Sequence, residues 1–186
     1  MQPMTTTIGK IQLKDKVFRP YLSEEIIFSA VAEMAEKMNH ELRDKNPLFI
    51  VVLNGSFMFA SDLLRRISIP CAISFIKLSS YEGTSSSGSV NQLIGLNENV
   101  KNRTVVIIED IVDSGNTIER IYQILHELEV GEVKTATLLF KPDAYKKQFA
   151  IDYSGLKIPN DFVVGYGLDY DGFGRNLPSI YVLDSE

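Results

Sequence analysis

Residues 105–121 read VVIIEDIVDSGNTIERI, and this stretch decides the fold. Its first four residues are branched and apolar, which is typical of a strand buried on both faces. After Thr117, apolar residues recur at spacings of three and four, which predicts an amphipathic helix. The segment between them holds three carboxylates and four small or polar residues: Glu109, Asp110, Asp113, Ser114, Gly115, Asn116 and Thr117. A buried strand that enters a helix through a polar turn indicates an α/β fold.

The alternation of strands and helices continues on both sides of this stretch. Ser23 before two glutamates predicts a helix start, and residues 57–67 predict a second helix. Short apolar runs predict five strands, at residues 48–53, 71–78, 104–108, 135–140 and 161–167. We therefore expect one α/β domain over residues 1–186, with a mostly parallel central sheet flanked by helices. Residues 1–20 are polar and mixed, and we expect an N-terminal extension there.

The composition limits the classes of function. The chain has 186 residues, 45% of them hydrophobic, with a net charge of −5 and a pI near 5.1. This charge disfavours a broad nucleic-acid surface, which needs clustered Lys and Arg. No apolar run approaches the roughly 18 residues of a membrane span, and the first residues do not resemble a signal peptide. The single cysteine, Cys71, allows no intrachain disulfide, so we expect a cytoplasmic protein that does not bind membranes.

Polar segments follow the predicted strands at the end where a parallel sheet binds its ligands. In open α/β sheets, ligands bind beyond the carboxyl ends of the strands. The segments that would meet there are residues 54–56, 79–88, 109–117, 141–143 and 167–176. The serine-rich segment after residue 78 is long for a simple connection, and such loops are often active-site lids.

The opening stretch fits a sugar phosphate better than other ligands. Backbone N–H groups of residues 114–117 would lie at a helix N-terminus and bind a phosphate, and Gly115 allows a close approach. The carboxylates need another partner, which a diol or Mg²⁺ provides. The sequence has neither GxxxxGK[ST] nor GxGxxG, the motifs of nucleotide-triphosphate and dinucleotide sites. Helix capping or simple surface charge is the alternative for Glu109 and Asp110.

The sequence resembles a known enzyme family. VVIIEDIVDSGNT is similar to the phosphoribosyl pyrophosphate motif of the type I phosphoribosyltransferases. The likeness runs from about residue 48 to residue 183 and resembles the hypoxanthine-guanine branch. Four further segments carry it: LNGSFMFASDL (53–63), SSYEG (79–83), LLFKPD (138–143) and FVVGYGLDYDGFGRNLP (162–178). The resemblance implies a purine-salvage transferase with a small hood and a flexible active-site loop over residues 79–100.

The resemblance also implies which residues bind the phosphoribosyl donor. Glu109, Asp110, Asp113 and residues 114–117 would bind the phosphoribosyl group. Asn54, Gly55 and Arg175 would bind the pyrophosphate, and the peptide bond before Asn54 is typically cis in the family. Mg²⁺ would be bound by Glu109, Asp110 and Asp169. Many relatives have Lys or Arg where this chain has Asn54, so one cation near the pyrophosphate is missing here.

On the acceptor side, the resemblance assigns Asp113 as the general base near purine N7. Lys141 would donate to the 6-oxo group, which favours hypoxanthine and guanine over adenine. Phe162, Val163 and Asp169 would complete the purine site, and Ser80 and Tyr81 would lead the lid. From the residues alone, other interpretations stay open: Asp113 as a helix cap, Lys141 as a solvated lysine and Phe162 as a core residue.

Two other classes of protein remain as alternatives. One is a regulator that senses phosphoribosyl pyrophosphate and binds nucleic acid, which the acidic pI disfavours. The other is a flavodoxin-like or receiver-type domain, which would not explain FVVGYGLDY. Members of the resembling family are dimers or tetramers, so we expect a homodimer or homotetramer.

Overall fold

Ten strands and three helices make up the described part of the chain. The computed structural model describes residues 9–78, 92–94 and 98–184. In chain order the elements are β1 (Ile11–Leu13), β2 (Lys16–Leu22), α1 (Glu24–Glu41), β3 (Leu48–Val52), α2 (Phe57–Leu64), β4 (Ala72–Leu78), β5 (Gln92–Ile94), β6 (Thr104–Val112), α3 (Asn116–Glu127), β7 (Glu132–Phe140), β8 (Tyr153–Lys157), β9 (Val163–Val164) and β10 (Ile180–Leu183).

The larger sheet has the strand order β5-β4-β3-β6-β7-β8. Five of its strands are parallel, and β5 pairs antiparallel with β4 at one edge. Every residue of β3 is buried, because this strand lies inside the sheet with apolar clusters on both faces. The predicted fold class, an α/β domain with a mostly parallel central sheet flanked by helices, is confirmed.

The helices cover the two faces of this sheet. Helices α1 and α2 pack with one apolar cluster and α3 with the other. Helix α1 begins as predicted, since Ser23 is its N-cap and Glu24 and Glu25 lie in its first turn, where they suit the helix dipole. Because β6 enters α3 directly, the turn between them lies at the carboxyl edge of the sheet.

A small antiparallel sheet, with the order β1-β2-β10-β9, forms a hood beside that edge. Residues 11–13 and 16–22 are strands of this sheet, so the extension predicted for residues 1–20 was wrong for the strand residues. Their alternating burial hid them, since only Phe18 is fully buried. The hood joins the start of the chain to its end, because β2 pairs with β10.

The predicted fifth strand of the main sheet was wrong. Residues 163–164 form the short strand β9 of the hood, and the fifth parallel strand is β8, which pairs with β7. The sequence YSGLK of β8 is too polar to resemble a buried strand, because β8 is an edge strand with one partner. The apolar run at 161–167 ends early, since Gly165 and Gly167 both have a φ of +100°.

The predicted lid lies mostly outside the described residues. Ser80 and Tyr81 lie outside the described residues, so their predicted role in the lid stays a prediction. Within the range 79–100, β5 is a short strand rather than loop. No helix in the described ranges is long and apolar enough to cross a membrane.

Candidate active site

The turn from β6 into α3 forms a cradle for an anion. Residues 111–118 and Glu109 line a cavity of about 240 Å³ there. Gly115 is the N-cap of α3, and no side chain from the described ranges caps this helix. The first N–H groups of a helix have no partner within it, so those of α3 face the cavity with the positive end of the helix dipole. Asp113 is therefore not the helix cap.

Gly115 makes this cradle possible for two reasons. Its φ is +85°, a left-handed conformation that side chains disfavour. A Cβ there would also lie 2.5 Å from Cε2 of Tyr145. Tyr145 is fixed in turn, because its hydroxyl donates to the Phe149 carbonyl at 2.7 Å. The glycine predicted to allow a close approach thus also admits the segment that follows β7.

Glu109 and Asp110 lie at the end of β6 and are both buried, each with 9% of its surface exposed. Oε2 of Glu109 is buried without a hydrogen-bond partner among the described residues. The pKa of Glu109 is raised well above its ordinary value, mainly by burial and secondly by the charge of the neighbouring Asp110. Burial also raises the pKa of Asp110 to about 6. Two buried adjacent carboxylates need a cation or hydroxyl donors to offset their desolvation, as a ligand with a diol or a metal would provide.

We expect Asp110→Asn to stabilise the ligand-free protein at pH 8. The folded-state pKa of about 6 lies above the ordinary value of 3.8, so the ionised carboxylate costs stability above pH 6. A shift of this size corresponds to about 3 kcal/mol, or a melting temperature about 6–12 °C higher in the variant. As pH falls through 6 toward 4, the cost disappears.

Thermal unfolding of both proteins in a chelator at pH 8 and pH 5 measures this effect. The advantage of the variant should shrink at pH 5, because wild-type Asp110 is then protonated in the folded state. Carboxylates away from residue 110 titrate equally in both proteins and cancel in the difference. Glu109 does not cancel, because loss of the Asp110 charge removes one cause of its raised pKa and so adds to the advantage of the variant at pH 8. An advantage of the same size at both pH values would contradict the raised pKa.

Three distant segments press against each other beside Asp110. A Cβ on Gly55 would lie 1.7 Å from Oδ2 of Asp110, and a Cβ on Gly167 would lie 1.9 Å from the Gly55 carbonyl oxygen. The Leu53–Asn54 peptide bond is cis, as the resemblance implied. The loop after β3, the end of β6 and the turn after β9 therefore meet at this point, as the sequence predicted for polar segments 54–56, 109–117 and 167–176.

Asp169 and Arg175 form an ion pair in the turn after β9. Nη2 of Arg175 lies 2.6 Å from Oδ1 of Asp169, and the Gly172 amide donates to Oδ2 of Asp169 at 2.6 Å. Nη1 of Arg175 donates to the Gly167 carbonyl at 2.7 Å. The charge of Arg175 lowers the pKa of Asp110 and that of Asp169 raises it. A cation and a carboxylate thus lie within electrostatic reach of the buried acids.

Lys141 and Asp113 form a second pair at the carboxyl edge. Nζ of Lys141 donates to Oδ2 of Asp113 at 2.9 Å, and the Lys141 amide donates to the Val112 carbonyl at 2.9 Å. Lys141 is buried, with 7% of its surface exposed, so it is not a solvated lysine. Asp113 remains about half exposed. The pair presents a donor and an acceptor side by side, and Asp113 also lines the cavity at the start of α3.

Phe162 is an exposed aromatic ring and not a core residue, since 45% of its surface is exposed. Its neighbours are the rings of Phe18 and Tyr170, with centroids 6.2 and 6.0 Å away. Val163 follows as a buried residue of β9 that pairs with Val182. An exposed aromatic face is suited to stacking on a planar ligand.

The donor set fits a hard divalent cation in part. Glu109, Asp110 and Asp169 offer carboxylate oxygens, the ligands that Mg²⁺ prefers. Within the described ranges, however, no three such side chains lie close enough to hold an ion by themselves. Mg²⁺ is usually bound by one or two carboxylates together with substrate phosphates and water, so these residues would need a phosphate-bearing ligand to complete a site.

Sequence reasoning missed residues that orient this site. The Tyr166 hydroxyl donates to Oδ2 of Asp62 at 2.6 Å and fixes the turn after β9 to α2. The Tyr170 hydroxyl donates to Oδ1 of Asp15 at 2.8 Å and fixes the same turn to the hood. In each pair the two residues lie more than a hundred positions apart in the sequence, so no local pattern reveals the contact.

The fold and this arrangement define a phosphoribosyltransferase. The model of the family described as "Phosphoribosyl transferase domain" matches residues 20–171. The chain belongs to this family. The resemblance predicted from the acidic motif is thereby confirmed.

Its relatives within the family include hypoxanthine-guanine phosphoribosyltransferases. The enzyme of that name from Staphylococcus epidermidis is 42% identical over 166 residues, which cover 89% of this chain and 93% of the relative. The structure of a hypoxanthine phosphoribosyltransferase from Staphylococcus aureus has a TM-score of 0.82 and 39% identity, covering 89% of this chain and 91% of that one. For a hypoxanthine-guanine phosphoribosyltransferase from Bacillus anthracis, the TM-score is 0.83, the identity 35% and the coverages 91% and 99%.

Proposed function

We propose that this protein is a purine-salvage enzyme that transfers the 5-phosphoribosyl group from phosphoribosyl pyrophosphate to N9 of hypoxanthine or guanine. The products are IMP or GMP and pyrophosphate. The observation that carries the proposal is the Lys141–Asp113 pair, with its donor and acceptor 2.9 Å apart. In a 6-oxopurine, O6 and N7 lie on the same edge of the ring. Lys141 donates to O6 while Asp113 accepts a proton from N7.

The same pair excludes adenine. A lysine ammonium has three donors and no acceptor, so it binds a 6-oxo group and opposes a 6-amino group. Because Lys141 is buried, a 6-amino group in place of the 6-oxo group would face the ammonium donor to donor. Neither group would then have an acceptor. Phe162 provides an exposed face for stacking, and Val163 begins strand β9 directly after it.

The donor substrate uses the other half of the site. The amides of residues 114–117 hold the 5-phosphate at the start of α3, and Glu109 and Asp110 accept from the ribose hydroxyls. Gly55 and Arg175 bind the pyrophosphate, for which Arg175 must release Asp169. Asn54 contributes backbone only, so one cation fewer faces the pyrophosphate.

The reaction breaks the bond from C1 of the ribose to pyrophosphate and forms the bond from C1 to N9. Asp113 accepts the proton as the purine attacks, and its charge stabilises the cationic character that develops at C1. Mg²⁺, bound by Glu109, Asp110 and Asp169 together with the substrate phosphates, would neutralise the leaving group. The segment at 79–100 would exclude water by closing over the reacting atoms.

An assay with four bases tests this function. Hypoxanthine, guanine, xanthine and adenine are each incubated with phosphoribosyl pyrophosphate, with Mg²⁺ or with a chelator. We expect turnover of hypoxanthine or guanine, little turnover of adenine, and loss of activity in chelator. Absence of turnover for every base, together with tight binding of RNA or DNA, would favour the regulator instead.

Replacing Lys141 should weaken purine binding selectively. Lys141→Ala is expected to raise KM for hypoxanthine by about 10- to 100-fold, because a hydrogen bond from a charged donor contributes about 1.5–3 kcal/mol. KM for phosphoribosyl pyrophosphate should change by less than about twofold, since Lys141 faces the base. Lys146→Ala is the matched control, an exposed lysine of the same segment that donates to the Asp143 carbonyl. An unaltered KM for hypoxanthine would refute the role.

The remaining parts of the proposal concern assembly and location. We propose that the protein is a homodimer or homotetramer and that it is located in the cytoplasm, as predicted from the sequence. Sedimentation of the purified protein tests the first of these.

A further inference from the structure

The turn between β1 and β2 reaches from the hood to the purine side of the site. Asp15 accepts a hydrogen bond from the Tyr170 hydroxyl at 2.8 Å. Lys14 forms an ion pair with Asp171 and lies 5.2 Å from the centroid of the Phe173 ring. Residues 14 and 15 therefore both contact the turn after β9, between residues 170 and 173.

Lys16, the next residue, bridges two aromatic rings. Its Nζ lies 5.0 Å from the centroid of Tyr170 and 5.8 Å from that of Phe162. The two rings meet edge to face, at 86° with centroids 6.0 Å apart. An ammonium within about 6 Å of a ring centroid is attracted by the ring quadrupole. Lys16 thus holds Phe162 through a direct contact and through Tyr170, which Asp15 fixes.

We propose that Lys16 is a positioning residue for the purine, because its ammonium fixes the Phe162 ring in the orientation that receives the base. This inference rests on the proposed function, in which the purine stacks on Phe162. The ring is nearly half exposed, so few contacts hold it before the base arrives. Ordering a mobile ring when the base binds costs conformational entropy and so lowers the affinity. A ring that is already ordered avoids this cost.

A purely structural role for Lys16 would have different consequences. The hood is held by β2–β10 pairing and by the buried cluster of Phe18, Val164 and Tyr181, none of which needs the Lys16 charge. Removing only the charge should therefore leave the hood folded. It should change the affinity for the base and not that for the phosphoribosyl donor. Most donor residues lie on β6, α3 and the loop after β3, and Arg175 and Asp169 in the turn after β9 hold each other and the Gly167 carbonyl without Lys16.

The test compares Lys16→Met with Lys16→Arg. Met keeps an apolar stem of similar length without the charge, and Arg restores a cation that also binds aromatic faces. Steady-state kinetics give KM for hypoxanthine and KM for phosphoribosyl pyrophosphate, and thermal unfolding gives the melting temperature. Lys45→Met is the matched control, because Lys45 pairs with Glu132 at 2.7 Å, at the start of β7 and far from the site.

We expect Lys16→Met to raise KM for hypoxanthine by about two- to fivefold, the range for one exposed cation–π contact. KM for the donor and the melting temperature should stay at the values of the Lys45→Met control, and Lys16→Arg should restore KM for hypoxanthine. An unchanged KM for hypoxanthine in Lys16→Met would overturn the inference alone, if the wild type turns over hypoxanthine. Equal rises in both KM values with a lower melting temperature would overturn it in favour of a structural role. Absence of turnover in the wild type would overturn both this inference and the proposed function.

Discussion

Asp113→Asn is expected to lower kcat by about 10²- to 10⁴-fold, the usual contribution of a general base. In the proposed mechanism Asp113 is the acceptor at the edge of the purine, and the ion pair with Lys141 holds its carboxylate in place. An amide does not accept the proton that N7 releases, so the attack by N9 would create an uncompensated charge on the base. KM for phosphoribosyl pyrophosphate should change by less than about twofold, because the phosphate is bound by backbone amides.

Asparagine is the informative replacement because it removes the charge and keeps the shape. Its side-chain oxygen still accepts from Lys141, so the orientation of the lysine should survive. Asp143→Asn is the matched control, an exposed carboxylate two positions after Lys141. Single-turnover kinetics separate the chemical step from product release. An unchanged kcat would remove Asp113 as the base, and a large rise in donor KM with normal kcat would make it a ribose ligand instead.

The sequence predicted the polar turn between β6 and α3 because its signals are local. A buried strand, a glycine and a helix start lie within seventeen residues, and each has a recognisable pattern. Strand β3 and helix α1 were predicted for the same reason. The two acidic residues at the end of β6 were also singled out, since two adjacent carboxylates after VVII cannot be buried without partners at low cost.

The hood could not be predicted from such patterns. Its strands come from both ends of the chain, and β2 shows only one fully buried residue, Phe18. Strand β8 was missed because an edge strand needs no continuous apolar run. The predicted strand at 161–167 ran too far, because the apolar residues continue through the GYG turn and the positive φ of its glycines is not visible in the sequence. The tertiary pairs that orient the site, such as Tyr166 with Asp62, depend on contacts between distant segments.

The structure gives a second reason for a glycine at position 55, in addition to the pyrophosphate contact. The resemblance made Gly55 a backbone ligand of pyrophosphate. The structure adds a second demand, since its Cα faces the carboxylate of Asp110 and a Cβ would lie 1.7 Å from Oδ2. Asp110 is buried and its Oδ1 accepts from the Ile111 amide at 3.0 Å, so it has little room to move.

Gly55→Ala is therefore expected to lower kcat/KM for phosphoribosyl pyrophosphate by about 100-fold. The added methyl group must displace the Asp110 carboxylate, and the charged hydrogen bonds that it would form with the ribose contribute about 1.5–3 kcal/mol. The φ of Gly55 is outside the left-handed region, so alanine is compatible with the backbone and the protein should fold. Kinetics with the donor varied at saturating hypoxanthine measure the effect.

A double-mutant cycle identifies the cause of that loss. If the methyl group acts only by displacing Asp110, then Gly55→Ala combined with Asp110→Ala should be no worse than Asp110→Ala alone, because the carboxylate is already gone. If the two losses multiply, Gly55 acts separately, through its own contact with the pyrophosphate, and the argument from the 1.7 Å approach is wrong. The first result would mean that the loop after β3 is shaped around the acid of β6, so that the donor site depends on one small residue that the motif in β6 does not contain.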